Sequence, residues 1–221
     1  MNWKKRVFEN FKLYAVTDLS SEDASILPRI EQAFRGGADI IQLRSKILSD
    51  GALVRLGTAV RKIADRCQKL FFMNDRLDVA LAAGADGLHL GQDDLPLGRA
   101  RGLCRQAGAS LWLGQSTHSL NQAIRAQEEG ADYVAIGPLF QTPTKPDVPA
   151  VGLDLIREAK EKIKIPFLVI GGINEENLEV ILRAGATRIA AVRAIFGAQD
   201  PYEANRKLRE QIERFPQKVA A

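Results

Sequence analysis

The chain has 221 residues, 46% of them hydrophobic and 26% charged, which is ordinary globular composition and enough length for a large core. Its formal net charge is +4, with basic residues spread along the chain rather than clustered, which argues against nucleic acid and leaves small anionic substrates open. No apolar run long enough for a signal peptide or a membrane span follows the basic start Met1-Asn2-Trp3-Lys4-Lys5-Arg6, and Cys67 and Cys104 lack metal-ligand spacing, so a cytoplasmic protein with reduced thiols is expected.

Taken in order, the chain alternates apolar runs with helical patterns. Leu13-Tyr14-Ala15-Val16 is the first expected strand. A phrase then recurs, as Gly37-Ala38-Asp39-Ile40-Ile41-Gln42-Leu43, Gly84-Ala85-Asp86-Gly87-Leu88-His89-Leu90, Gly130-Ala131-Asp132-Tyr133-Val134-Ala135-Ile136 and Gly185-Ala186-Thr187-Arg188-Ile189-Ala190-Ala191. Each copy ends a helix with a glycine, the residue that takes the left-handed conformation at least cost, and then enters an apolar strand. The copies are 47, 46 and 55 residues apart, about twice one strand–helix unit, so a further unit is expected in each gap. Leu70-Phe71-Phe72-Met73, Leu111-Trp112-Leu113-Gly114 and Phe167-Leu168-Val169-Ile170 supply those strands, with helices over Leu53–Arg66, Leu120–Glu129, Asn174–Ala184 and Tyr202–Phe215. Short continuous apolar strands suit a parallel sheet covered on both faces. Eight such units in 221 residues predict a single-domain α/β fold, a (β/α)8 TIM barrel over 1–221 with residues 1–11 as an N-terminal extension. An open doubly wound sheet fits less well, because the repeat is even and no Gly-x-Gly-x-x-Gly loop is present.

In a barrel of this kind chemistry sits on the loops that follow the strands, and the unusual polar residues fall there. Gln42, Arg44 and Lys46 occupy alternate positions after strand two and share one face if extended. Asn74-Asp75-Arg76 follows strand three and Gly91-Gln92-Asp93-Asp94 follows strand four. Carboxylates on neighbouring loops can share Mg2+, which takes one or two of them plus substrate phosphates. The alternatives are that Arg44 and Lys46 are merely solvated and that Asp75 and Asp94 cap the next helices. Gly114-Gln115-Ser116-Thr117-His118-Ser119 holds a Ser-x-His pair without a carboxylate evidently placed to orient His118, and capping by Thr117 or Ser119 competes with a nucleophile. His89 reads as a core or strand-end histidine. After strand six, Gly137-Pro138 stops the run, and Thr142-Pro143-Thr144-Lys145 places two hydroxyls and an ammonium on a proline-stiffened loop. Gly171-Gly172-Ile173-Asn174 offers backbone N–H groups after strand seven, where such barrels often bind phosphate.

Two anion sites follow. One is cationic and metal-assisted, from Arg44, Lys46, Asp75, Asp94 and Lys145, and suits a departing pyrophosphate. The other is neutral, from Thr142, Thr144 and Gly172, and suits a phosphate that is held but not transferred. The asymmetry points to a transferase joining a diphosphate ester to a phosphorylated acceptor.

From Leu13-Tyr14-Ala15-Val16-Thr17-Asp18 to Val192-Arg193-Ala194-Ile195 the chain resembles the thiamine phosphate synthase family. The motifs that carry the resemblance are Ile41-Gln42-Leu43-Arg44-Ser45-Lys46, Asn74-Asp75-Arg76-Leu77-Asp78-Val79-Ala80, His89-Leu90-Gly91-Gln92-Asp93-Asp94, Gly137-Pro138 through Lys145, and Gly171-Gly172-Ile173. The resemblance implies condensation of 4-amino-2-methyl-5-(hydroxymethyl)pyrimidine diphosphate with 4-methyl-5-(2-phosphoethyl)thiazole, giving thiamine phosphate and pyrophosphate in a dissociative substitution assisted by Mg2+. It also implies roles. Gln42, Arg44, Lys46, Asn74, Ser116 and Lys145 hold the pyrimidine diphosphate, with Arg44, Lys46, Ser116 and Lys145 catalytic. Asp75 and Asp94 hold Mg2+, and Thr142, Thr144, Gly172, Val192 and Arg193 hold the thiazole phosphate. The family often has serine where Arg193 stands, so a backbone contact is expected there. Small-molecule substrates are the expected partners, without nucleic acid or membrane. The oligomeric state is open, a homodimer being one option. Competing readings are a thiazole tautomerase-like paralogue, an isomerase barrel and a non-catalytic phosphate-binding barrel. The complete set Gln42, Arg44, Lys46, Asp75 and Asp94 disfavours the first.

Overall fold

The computed structural model describes residues 2–144 and 147–215. Eight strands, β1 (Leu13–Val16), β2 (Ile40–Leu43), β3 (Leu70–Asn74), β4 (Gly87–Leu90), β5 (Trp112–Thr117), β6 (Tyr133–Ile136), β7 (Phe167–Val169) and β8 (Ile189–Ala191), close into a parallel barrel in chain order. Around it run α2 (Ile26–Arg35), α3 (Asp50–Cys67), α4 (Leu77–Ala82), α5 (Leu97–Gln106), α6 (Leu120–Glu128), α7 (Asp154–Lys162), α8 (Leu178–Arg183), the short α9 (Arg193–Phe196) and α10 (Pro201–Arg214), while α1 (Trp3–Asn10) precedes β1. The expected (β/α)8 barrel is the fold. Several element ends shift by a few residues, and two of the shifts bear on the site. The strand β5 continues through Thr117, so Ser116 lies on it rather than on a loop. Asn174 does not start α8; its Oδ1 accepts from the amides of Glu176 and Asn177, closing a polar turn before the helix begins at Leu178.

The alternation of side chains along each strand sorts the core into two layers. Leu13, Ala15, Ile41, Leu43, Phe71 and Met73 face the helices. Tyr14, Val16, Ile40, Leu70, Phe72, Tyr133, Ala135, Leu168 and Ala190 fill the barrel interior. Two strand glycines make room for rings there: a Cβ on Gly87 would stand 2.5 Å from Phe72, and one on Gly114 would stand 2.0 Å from Cζ of Tyr133. The N-terminal end of the barrel is plugged by α1, whose Phe8 stacks on Trp112 with ring centroids 4.6 Å apart, backed by Phe11. The opposite end is left for a ligand.

The repeated phrase has a physical basis. All four of its glycines adopt left-handed backbone, with φ of +117° at Gly37, +67° at Gly84, +90° at Gly130 and +107° at Gly185. Its aspartates are fasteners. Asp39 accepts from the amides of Lys12 and Leu13 at the start of β1, Asp86 from Phe71 in β3, and Asp132 from Leu113 in β5. Basic side chains back each one: Lys69 and Arg209 on Asp39, Lys4 and Arg61 on Asp86, Arg101 on Asp132. Burial raises the Asp39 carboxyl, but Lys69, the Lys12 amide and Arg209 outweigh it and hold the group below the ordinary carboxylate value. In the fourth copy Thr187 stands in the aspartate position, and β7 meets β8 through the single residue pair Val169 and Ile189.

Candidate active site

A cavity of about 370 Å³ opens at the C-terminal end of the strands, and its wall includes every expected site residue that lies within the described residues. Lys145 lies outside them. Strand parity explains the convergence, because the inward series ends in Gln42 on β2, Asn74 on β3, His89 on β4 and Ser116 on β5.

One side of the cavity is charged. The Lys46 ammonium lies 2.5 Å from Oδ2 of Asp75, and Arg44 is ion-paired with Asp18. Asp75 sits at φ +60°, a left-handed position that aspartate tolerates better than most residues, with its amide donating to the His89 carbonyl at 2.8 Å. Oδ2 of Asp94 accepts from the Gly91 amide at 2.6 Å, and a Cβ at Gly91 would stand only 2.9 Å from that oxygen. Neither carboxylate caps a helix, since the N-caps of α4 and α5 are Arg76 and Pro96. Asp93 is exposed and off the cavity wall. Asp75 and Asp94 face one another. Burial and the neighbouring Asp94 push the Asp75 carboxyl up against the pull of Lys46. For Asp94 burial acts upward, but the hydrogen bond from Asp75, the Gly91 amide and Lys46 bring it below its ordinary value. The two carboxyls are thus driven apart, Asp75 upward and Asp94 downward.

The other side is neutral. Thr142 is buried and its Oγ1 accepts from the Thr144 amide at 3.4 Å. Gly171 and Gly172, at φ +102° and +68°, turn the chain beneath that loop. Side chains would not fit there: a Cβ on Gly171 would lie 2.4 Å from Pro138, and one on Gly172 would lie 2.8 Å from Cβ of Phe140. Val192 follows β8 and Arg193, exposed, opens α9.

Sequence reasoning missed the polar floor. The Gln42 Nε2 donates to the Tyr14 hydroxyl at 2.9 Å, and that hydroxyl lies 3.0 Å from the hydroxyl of Tyr133. Nδ1 of His89 lies 2.9 Å from the Tyr133 hydroxyl, and its Nε2 lies 2.9 Å from Oγ of Ser116. The available signal was the inward register of Tyr14 and Tyr133, two phenols in otherwise apolar strands. The Ser-x-His pair, by contrast, does not act together. Nδ1 of His118 is against the Gly137 carbonyl, and Ser119 caps α6 by accepting from the Gln122 amide at 3.2 Å. The hydroxyl of Thr117 donates to the Ala135 carbonyl and takes no capping role.

Comparison with known proteins identifies the family. A thiamine-phosphate synthase of Gloeobacter violaceus is 45% identical over 190 residues, covering 86% of this chain, and the chain spans 54% of that longer relative. The thiamine-phosphate synthase of Pyrococcus horikoshii is 41% identical over 215 residues, covering 96% of this chain and 98% of the relative. A solved thiamine phosphate pyrophosphorylase from Pyrococcus furiosus superposes with a TM-score of 0.85 at 36% identity, covering 95% of this chain and 98% of its own. The family model described as thiamine monophosphate synthase matches residues 13–195, and the chain belongs to that family.

Proposed function

We propose that the protein is a thiamine phosphate synthase, a transferase that joins 4-amino-2-methyl-5-(hydroxymethyl)pyrimidine diphosphate to 4-methyl-5-(2-phosphoethyl)thiazole and releases pyrophosphate. The observation that carries this reading is the division of one cavity into a cationic, carboxylate-bearing side and a neutral cradle of hydroxyls and glycine backbone. Two carboxylates facing one another on one cavity wall are a fitting pair for Mg2+, which takes one or two carboxylates together with water and phosphate oxygens. When bound between Asp75 and Asp94, Mg2+ would supply neutralisation of the pyrophosphate charge.

The residues divide the work. Arg44 and Lys46, with Lys145 from the loop after β6, face the diphosphate and stabilise the charge that grows as the C–O bond ionises. Gln42, Asn74 and Ser116 seat the pyrimidine. An aminopyrimidine supports positive charge on its exocyclic CH2, and the thiazole nitrogen already has a lone pair, so no base is needed to make it a nucleophile. Thr142, Thr144, Gly172 and the backbone of Val192 and Arg193 hold the thiazole phosphate and bring that nitrogen in line. Residues 1–221 as one barrel domain with 1–11 as its extension, and a cytoplasmic location, complete the reading. Among the described residues no helix is long and apolar enough to cross a membrane.

The test is product formation by the purified protein from both substrates, with Mg2+ and after chelation. Synthesis that stops on chelation and returns with Mg2+ is expected. Undiminished synthesis with chelator would overturn the metal role. Binding of both substrates without any product would favour the non-catalytic binder, and isomerisation of a thiazole phosphate alone would favour the tautomerase-like alternative.

A further inference from the structure

We propose that Tyr14, Tyr133 and His89 are positioning residues that form a one-way chain of hydrogen bonds, which turns the carbonyl oxygen of Gln42 and the hydroxyl proton of Ser116 towards the ligand. The argument is one of proton counting. An amide nitrogen only donates, so the Gln42 Nε2 at 2.9 Å makes the Tyr14 oxygen an acceptor. Tyr14 is 1% exposed and has one proton of its own, and the remaining acceptor at its hydroxyl is Tyr133, 3.0 Å away. A buried hydroxyl proton left without an acceptor is costly, so Tyr14 donates to Tyr133. Tyr133 then has its single proton to spend, and Nδ1 of His89 lies 2.9 Å off. An imidazole that accepts at Nδ1 carries its proton at Nε2, which faces Oγ of Ser116 at 2.9 Å. Ser116 thus accepts from His89 and retains its own proton for whatever occupies the cavity.

The surroundings support this. Burial holds both phenols well above their ordinary pKa, so each keeps its one proton. Gln42 is 3% exposed, and with its nitrogen committed to Tyr14 the other end of the amide faces the cavity it lines. Gly114 is the residue that lets the Tyr133 ring reach this position. The chain spans β2, β1, β6, β4 and β5, so it fixes the relative polarity of groups on opposite walls.

The consequence is specificity. A ligand suits this floor when it presents an N–H to Gln42 and a hydrogen-bond acceptor to Ser116, which describes an aminopyrimidine better than its oxo counterpart. That choice of ligand rests on the proposed function; the polarity of the chain does not.

Two experiments separate them. The protein has two histidines, so 15N-histidine labelling with a His118→Gln variant for assignment isolates the His89 ring. The folded protein without substrate should show the neutral Nε2–H tautomer at His89, and Tyr133→Phe should convert it to a mixture of tautomers. An Nδ1–H tautomer in the parent protein, or no change in Tyr133→Phe, overturns the chain whatever the enzyme's substrate. In the second, the affinities of the aminopyrimidine diphosphate and its 4-oxo analogue are compared by calorimetry. Tyr14→Phe frees the Gln42 amide to turn over, so the preference for the amino compound should shrink at least about tenfold. An unchanged preference refutes the specificity role even where the tautomer result holds.

Discussion

Gly114→Ala tests how tightly the barrel floor is built. The added Cβ would stand 2.0 Å from Cζ, 2.1 Å from Cε1 and 2.6 Å from the hydroxyl oxygen of Tyr133. Gly114 is not among the residues with left-handed backbone, so alanine meets no conformational penalty and the cost is steric. Restoring ordinary carbon–carbon contact at about 3.5 Å requires the ring to move by roughly 1.5 Å. That movement breaks hydrogen bonds now 3.0 Å long to Tyr14 and 2.9 Å long to His89. Overpacking costs about 1–3 kcal/mol and each lost bond about 0.5–1.5 kcal/mol, together roughly 2–6 kcal/mol. At about 2–4 °C per kcal/mol for a protein of this size, the melting temperature should fall by roughly 4–24 °C in a calorimetric scan. Tyr133→Leu should cost less in the Gly114→Ala background than in the parent, because the smaller side chain relieves the clash. A Gly114→Ala protein that melts within about 2 °C of the parent would refute the steric reasoning and with it the claim that glycine is required beneath the ring.

Asp75→Asn keeps the left-handed position accessible and disturbs no helix cap, so the fold should survive while turnover at saturating substrate falls by about two orders of magnitude or more; normal turnover would remove Asp75 from the chemistry. Asp39→Asn leaves Lys69 and Arg209 facing a neutral group and should cost about 3–5 kcal/mol at pH 7 by denaturant melts. Because the folded carboxyl of Asp39 lies below its unfolded value, that contribution is complete above the ordinary carboxylate range and is lost as pH falls through the folded pKa. The gap between the two proteins should therefore close only in acid, and a gap that narrows as pH rises above about 5 would contradict the sign. Arg193→Ser should change the Michaelis constant for the thiazole phosphate only a few-fold, since Arg193 is exposed at the start of α9; a rise of a hundredfold would put the guanidinium on the phosphate.

The barrel is legible in the chain because its local signals agree with its global geometry. The repeated glycines mark helix ends through a backbone requirement, and continuous apolar runs such as Leu70–Met73 mark strands buried on both faces. The loop residues of the site are legible for a related reason: Arg44, Lys46, Asp75 and Asp94 are charges with no place in a core. Fastening and floor are less visible. Asp39, Asp86 and Asp132 read as parts of a repeated phrase, and only the folded chain brings each to the start of the preceding strand. Tyr14 and Tyr133 are 119 residues apart, and their inward register alone does not show that the two hydroxyls meet. His89 does lie on a strand, as its neighbours suggest, but its partner Ser116 belongs to β5 and becomes apparent only through register.

The unequal fastening of the ring has a mechanical consequence. Three of its strand pairs are clasped at the base by a carboxylate, whereas β7 and β8 share one registered ladder pair and have Thr187 at the corresponding place. By its short ladder β7–β8 is the weakest joint of the ring, and local opening is expected to start there. The same two strands carry Gly171, Gly172, Val192 and Arg193 at their upper ends. A phosphate bound across those ends, as the proposed function requires, would act as a rivet placed from the opposite side, tying the joint only while the ligand is bound.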